Sequence, residues 1–268
     1  LIRMLYVQDT AKNPKFKVDF TAISTLPAEI TFSRAGNAMQ FDATGALIWA
    51  RDNVLIHSGA PEHAAWGKAA VTVPTTDALN YDGALTARVI SDTTANSSHR
   101  IGTAQAFDTL AVGSPTIAFA YIAYTDKQWV VIRSESGASG QHPAATFDLI
   151  NGTCNATVYA TSCGMIAQPN NFWLCFFVWT PTTLTGGLGF NINTSSASDP
   201  SDNGPSYTGT GNPVFTLGGA QVSRVTYQTT PPPYVLTDSA AYYGPRFDHT
   251  MGVANSPLGL LIEEARTN

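Results

Sequence analysis

Charge is what this sequence has least of. Asp, Glu, Lys and Arg make up 12% of its residues, about half of the roughly 25% usual in soluble domains. Thr, Ser, Asn and Gly fill the polar positions instead. That mix suits strands and turns and fits poorly with long solvated helices. Lys and Arg number only 14 and none falls between Arg133 and Arg224. The one basic cluster, Lys12, Lys15 and Lys17, is too small for a phosphate-gripping face, so nucleic acid is not expected as a partner.

Long apolar runs are missing too. No stretch of about 18 apolar residues exists, so no helical membrane span is expected. Leu1–Val7 is largely apolar but short and shows no cleavage site of a signal peptide. The chain opens on Leu1 and stops at Asn268 without an ending signal, so it is expected to continue into a longer protein.

Cysteine is scarce and odd in number: Cys154, Cys163 and Cys175, with no Cys-x-x-Cys pair. Buried free thiols are the expectation, and a Cys154–Cys163 bridge across a turn stays open. The histidines, His57, His63, His99, His142 and His249, form no metal-ligand spacing, so no metal is expected. Gly-x-Ser-x-Gly is absent, and Gly137–Gly140 reads as a flexible loop. No phosphate-cradling glycine loop is present, and no cofactor is expected. Glu263 and Glu264 are adjacent, so on a strand they point to opposite faces and cannot flank one sugar. A catalytic residue is not expected anywhere.

Strand signals dominate what is present. Helical periodicity is confined to Pro61–Lys68, two turns at most. Thr116–Tyr124 alternates in size, and with Gln128–Arg133 across a turn at 125–127 it reads as a hairpin. Phe172–Thr180 is apolar on both faces, which places it mid-sheet with a ligand, a loop or a neighbouring subunit over its second face. Gly186–Asn193 and Val214–Thr226 add two strands around the polar loop 194–212, and Pro231–Pro233 is a rigid spacer. Before this region come strand-like pieces at Lys15–Ile23 and Glu29–Phe32, then a hairpin, Ala38–Asp42 with Ala46–Trp49. The tail holds the apolar strand Leu258–Ile262. Many short strands with long loops predict an all-β protein built on an antiparallel jelly-roll sandwich.

The flanks carry specific motifs. They read Thr31-Phe32-Ser33-Arg34-Ala35 and Phe41-Asp42-Ala43-Thr44-Gly45, then Pro245-Arg246-Phe247-Asp248-His249, then Leu258-Gly259-Leu260-Leu261-Ile262-Glu263-Glu264-Ala265-Arg266-Thr267-Asn268. This resembles a family of bacteriophage tail and virion proteins in which these parts are nearly contiguous. Here about two hundred residues separate Trp49 from Pro245. Asn53–Ser58, Ala64–Lys68 and Gly218–Val222 resemble parts of the jelly-roll, carbohydrate-binding-like module that follows the motif in that family.

The resemblance implies an insertion. Residues 1–53 would be the first half of a split motif, 54–236 the jelly roll, and 237–268 the second half, with the two flanks packed together. Arg34, Arg246 and Arg266 would pair with Asp42, Asp248, Glu263 or Glu264, and Leu258–Ile262 would lie beside the hairpin. It also implies a non-enzymatic virion component on the particle exterior, touching other virion proteins and forming an oligomer, commonly a trimer. A polysaccharide depolymerase and a bacterial surface adhesin are the alternatives.

Sugar binding needs aromatic faces for the pyranose and planar polar groups for its hydroxyls. The candidates are Tyr124, Gln128, Trp129, Arg133, Trp173 and Trp179. Trp129 and Arg133 share one strand face; Trp173 and Trp179 share another, where core or subunit contact is the expected use.

Overall fold

The computed structural model describes residues 18–32, 34, 36–103, 110, 112–136, 142–157, 159–182, 188–196, 198 and 206–261, without the side chains of residues 135, 136 and 188. Every regular element among them is a β-strand, so no helix is long and apolar enough to cross a membrane. The chain divides into two compact units, Leu1–Asp52 with Tyr243–Asn268, and Asn53–Tyr242.

The larger unit is an antiparallel jelly-roll sandwich. Its seven-stranded sheet runs in the order Ser162–Ala167, Phe172–Trp179, Thr116–Tyr124, Pro213–Arg224, Leu85–Asp92, Val71–Thr72, with Asp77–Leu79 also paired to Leu85–Asp92. The six-stranded sheet runs Thr153–Ala156, Ala144–Asp148, Trp129–Ser136, Leu188–Ser195, Arg100–Thr103, Trp66–Ala69.

Register separates the faces. Ala118, Ala120 and Ile122 lie opposite Phe177, Cys175 and Trp173 on the inner face of the seven-stranded sheet. Val130, Ile132, Phe147, Phe190, Ile192 and Ile101 line the inner face of the other sheet and are fully buried. Small alanines on the central strand leave room for Phe177 and Trp179, whose rings tilt together at 5.1 Å. Each large apolar side chain buried this way contributes about 1.5–3 kcal/mol.

The expected 116–133 hairpin does not form. Thr116–Tyr124 already has Phe172–Trp179 on one edge and Pro213–Arg224 on the other, so no edge remains for Trp129–Ser136. The chain crosses at residues 125–128 to the opposite sheet, steadied where Asp126 and Lys127 N–H groups both donate to the Val214 carbonyl. The expected helix at Pro61–Lys68 is also absent. Successive turns, His63 N–H to Ala60 O and Trp66 N–H to His63 O, run into the strand Trp66–Ala69.

Phe172–Trp179 is covered on both faces, as its sequence requires, and by its own chain. Its outer residues Phe172, Leu174, Phe176 and Val178 are buried in one cluster with Ile117, Phe119 and Tyr121. Tyr81 stacks on Tyr121 at 3.7 Å, and Tyr234 meets Tyr121 edge-on at 5.9 Å. Burial pushes the Tyr234 phenol up to about 12, while its hydrogen bond to Ser58 Oγ acts the other way.

Tyr234 comes from the proline-rich segment, which therefore belongs to the sandwich. The Asn53 amide donates to Val235 O at 2.7 Å, and Val235 N–H donates to Gln221 Oε1 at 2.7 Å. This explains why the sandwich extends past residue 236 to Tyr242.

The expectation of three free thiols is corrected. Cys154 and Cys163 form a disulfide, and only Cys175 is free, buried in the inner core. Cys154 faces inward beside Phe147 and Cys163 beside Phe177, so the two sheet edges bring their sulfurs together.

The smaller unit contains the hairpin Met39–Phe41 and Leu47–Trp49, and a second one, Arg246–His249 and Pro257–Leu261. Asp42 Oδ1 accepts the Thr44 and Ala46 N–H groups and so fixes the first turn. The tail strand takes Arg246–His249 as its ladder partner rather than the 39–49 hairpin, and Arg246–His249 is what touches that hairpin. Val18–Ile23 and Glu29–Phe32 carry no strand; residues 15–17 lie outside the described residues.

Candidate functional site

The outer face of the six-stranded sheet is polar, the reverse of its partner's outer face. Alternation generates it. In Gly189–Thr194, Phe190 and Ile192 point into the core, so Asn191 and Asn193 point out. In Trp129–Arg133, Val130 and Ile132 point in, so Trp129, Val131 and Arg133 point out.

The ladder arranges these side chains in rows. The first row holds Thr153, Asp148, Trp129 and Ser195. The second holds Asn155, Thr146, Val131, Asn193 and Arg100. The third holds Ala144, Arg133, Asn191 and Gly102. The centre is a buried floor: Arg133 is 3% exposed, Thr146 3%, Asn191 7% and Asn193 0%. Around this floor, Trp129, Asp148 and Arg100 are half-buried, Thr153 and Asn155 on the edge strand are exposed, and Ser195 is buried.

Two details shape this floor. Thr146 Oγ1 is buried and makes no hydrogen bond among the described residues. Gly102 has no side chain, and the Asn191 amide oxygen occupies the space a Cβ would fill, so the amide lies flat on the sheet.

Asp148 anchors one end. Its carboxylate accepts the Ile150 and Asn151 N–H groups at 3.0 and 2.9 Å, the Asn151 amide at 2.8 Å and the Gln128 amide at 2.9 Å. Burial raises its pKa, but the hydrogen bonds from Asn151, Gln128 and Ile150 outweigh that and hold it below the usual carboxylate value. Asp148 is therefore a charged turn anchor.

The six expected sugar-contact residues separate into groups. Trp129 and Arg133 sit on this polar face, and Gln128 sits at its edge with its amide committed to Asp148. Tyr124 is 43% exposed but belongs to the other sheet. Trp179 is 2% exposed in the inner core, which gives it a packing role. Trp173 lies against Gly152 and donates its indole N–H to Leu149 O at 2.9 Å, bracing the turn after Asp148. Asn191, Asn193, Thr146, Asn155 and Arg100 were not picked out by sequence. Their signal was the outward half of the alternation in Asn-Ile-Asn and in Thr-Phe-Asp.

In the flanks, two of the motif arginines reach the main chain. Arg246 Nη1 donates to Met39 O at 3.3 Å, and Arg34 Nε donates to Gly36 O at 2.5 Å. Glu263, Glu264 and Arg266, expected to form ion pairs, lie outside the described residues.

No protein-family model matches the chain, and no curated protein matches it. Among solved structures it is similar to the Clostridium thermocellum endo-1,4-β-D-xylanase 10B CBM22-1–GH10 modules complexed with xylohexaose, at 10% identity and a TM-score of 0.36. The match covers 69% of this chain and 30% of that one, so this chain spans under a third of the length of the protein it matches.

Proposed function

We propose that this chain is a non-enzymatic component of a bacteriophage particle exterior whose sandwich binds a host-surface glycan through the outer face of the six-stranded sheet. The observation that carries the binding half is the row pattern itself. Half-buried Trp129 and Arg100 and exposed Asn155 and Thr153 stand on one sheet face, around a buried polar floor of Asn191, Asn193, Thr146, Ser195 and Arg133. Planar polar groups match sugar hydroxyls, and an indole matches the apolar face of a pyranose. The strands fix the spacing of these groups, so little ordering cost falls on binding.

The virion half rests on the flanking motifs and on where the chain uses them. Both halves of the split motif fall in one compact unit, consistent with a single attachment element interrupted by a recognition module. A purely architectural module on the same particle is the second reading.

The test is titration of the purified protein against host capsule and lipopolysaccharide glycans by calorimetry. Binding is expected, with Trp129→Ala weakening it at least about tenfold and Asn155→Ala weakening it less. Absence of binding across that panel, with the chain located on particles by immunogold labelling, would leave the architectural reading. Release of reducing ends that one carboxylate substitution abolishes would establish an enzyme instead.

A further inference from the structure

We infer that Cys154 and Cys163 are a redox-operated staple, open or closed in the folded protein, which oxidation closes after the sandwich has formed. The first ground is position. Cys154 sits on the edge strand of one sheet and Cys163 on the edge strand of the other, nine residues apart. Each strand is held in its own sheet without the sulfurs. Cys154 pairs in register with Phe147 and Cys163 with Phe177.

The connector between them is fixed at both ends as well. Thr157 N–H donates to Ala144 O at 2.9 Å, and Thr161 N–H donates to Val178 O at 2.7 Å. Main-chain ladders therefore carry the two thiols to bonding distance, with Cα atoms 6.2 Å apart. The bridge follows from the fold and is not needed to create it.

The second ground is selectivity among three cysteines. Cys175 lies opposite Met165, one diagonal step from Cys163 on the same sheet face, near enough to compete in principle. It is wholly buried, and burial pushes its thiol well above the ordinary range, so it forms little thiolate. Cys154 and Cys163 are only half-buried and stay within reach of a small oxidant.

The chemistry balances with a low-molecular-weight disulfide such as oxidised glutathione. One protein thiolate attacks it, forming a mixed disulfide and releasing one glutathione thiol. The second protein thiolate then displaces the other. Two protein thiols become one disulfide, and one small disulfide becomes two small thiols. A reducing cell interior would hold the open form, and an oxidising exterior the closed one.

The test uses the whole chain, prepared reduced and then equilibrated with oxidised glutathione. The closed form is expected to be lighter by two hydrogen atoms, to yield a Cys154–Cys163 cross-linked peptide, and to leave Cys175 alkylatable only after unfolding. Reduced protein is expected to keep its β circular dichroism and to melt lower by on the order of 5–10 °C. C154S and C163S should each melt like the reduced form and, with oxidised glutathione, stop at the mixed disulfide without gaining melting temperature, while C175A should close the bridge as the parent does. An unfolded reduced protein would overturn the proposal by making the bridge a folding requirement. So would a cross-link through Cys175, or a pair that stays reduced in oxidised glutathione.

Discussion

The carboxylate of Asp248 accepts the main-chain N–H of Phe41 at 2.7 Å, joining residues 207 positions apart. Around it, Phe247 N–H donates to Gln40 Oε1 at 2.9 Å, and His249 Nδ1 lies 3.0 Å from Phe41 O. The Pro-Arg-Phe-Asp-His run thus docks on the first hairpin by side chain to main chain contacts. Replacing Asp248 with Ala should leave the Phe41 N–H unpaired and destabilise the smaller unit by about 1–3 kcal/mol. Hydrogen exchange at the Phe41 amide should accelerate, while exchange in Thr116–Tyr124 stays as it was. Unchanged protection at Phe41 would show that the bond contributes nothing.

The hairpin tip supplies a second prediction. Gly45 has φ +80°, and a Cβ there would stand 2.5 Å from Val253 N and 2.8 Å from Gly252 N, both main chain. Gly252 N–H donates to Gly45 O at 2.9 Å across the same approach. Gly45→Ala should therefore cost on the order of 2–4 kcal/mol, combining left-handed strain with a backbone shift. Gly252→Ala shares the positive φ but meets nothing within 4 Å, so only the strain of about 1–2 kcal/mol should appear. Equal losses in chemical denaturation would refute the packing argument.

Much of the sandwich was legible because alternation on strands is a local signal. Thr116–Tyr124, Phe172–Trp179 and Pro213–Arg224 lie within a residue or two of where periodicity puts them. Partner choice was not legible, because it depends on which edges are already taken. That is why 116–124 and 129–136 read as a hairpin and are instead in different sheets. The disulfide stayed undecided for the same reason: only sheet pairing brings Cys154 toward Cys163. Half of the polar face was visible in Trp129 and Arg133. The other half, Asn191 and Asn193, needed the knowledge that Leu188–Ser195 lies beside them.

Asp148 makes a pH prediction with a definite sign. Its folded pKa lies below that of an ordinary aspartate, so it contributes stability above the ordinary value. The contribution is lost as pH falls through the folded value. Asp148→Asn should therefore flatten the fall in melting temperature below about pH 4 and lower stability near neutrality. Parallel melting curves for variant and parent from pH 2 to 7 would remove Asp148 from the account.

The last prediction separates the shape of the polar face from its chemistry. Gly102 sits in the six-stranded sheet, and a Cβ there would collide with both the Asn191 amide oxygen and the Phe190 carbonyl oxygen. The first obstacle is a side chain that can turn away; the second is backbone held by the ladder, Phe190 with Thr103 and Asn191 with Gly102. Gly102→Ala should destabilise by on the order of 1–3 kcal/mol, the usual range for overpacking. Removing the amide with Asn191→Ala relieves only one obstacle, so the double variant should recover less than half of that loss. If the amide alone were the obstacle, the double variant would recover the loss entirely, and the interaction energy in a double-mutant cycle would equal the Gly102→Ala effect. An exposed position divides shape from recognition. Asn155→Ala keeps the ladder and removes one exposed planar polar group, so it should weaken glycan binding with little change in melting temperature. Gly102→Ala should move both together.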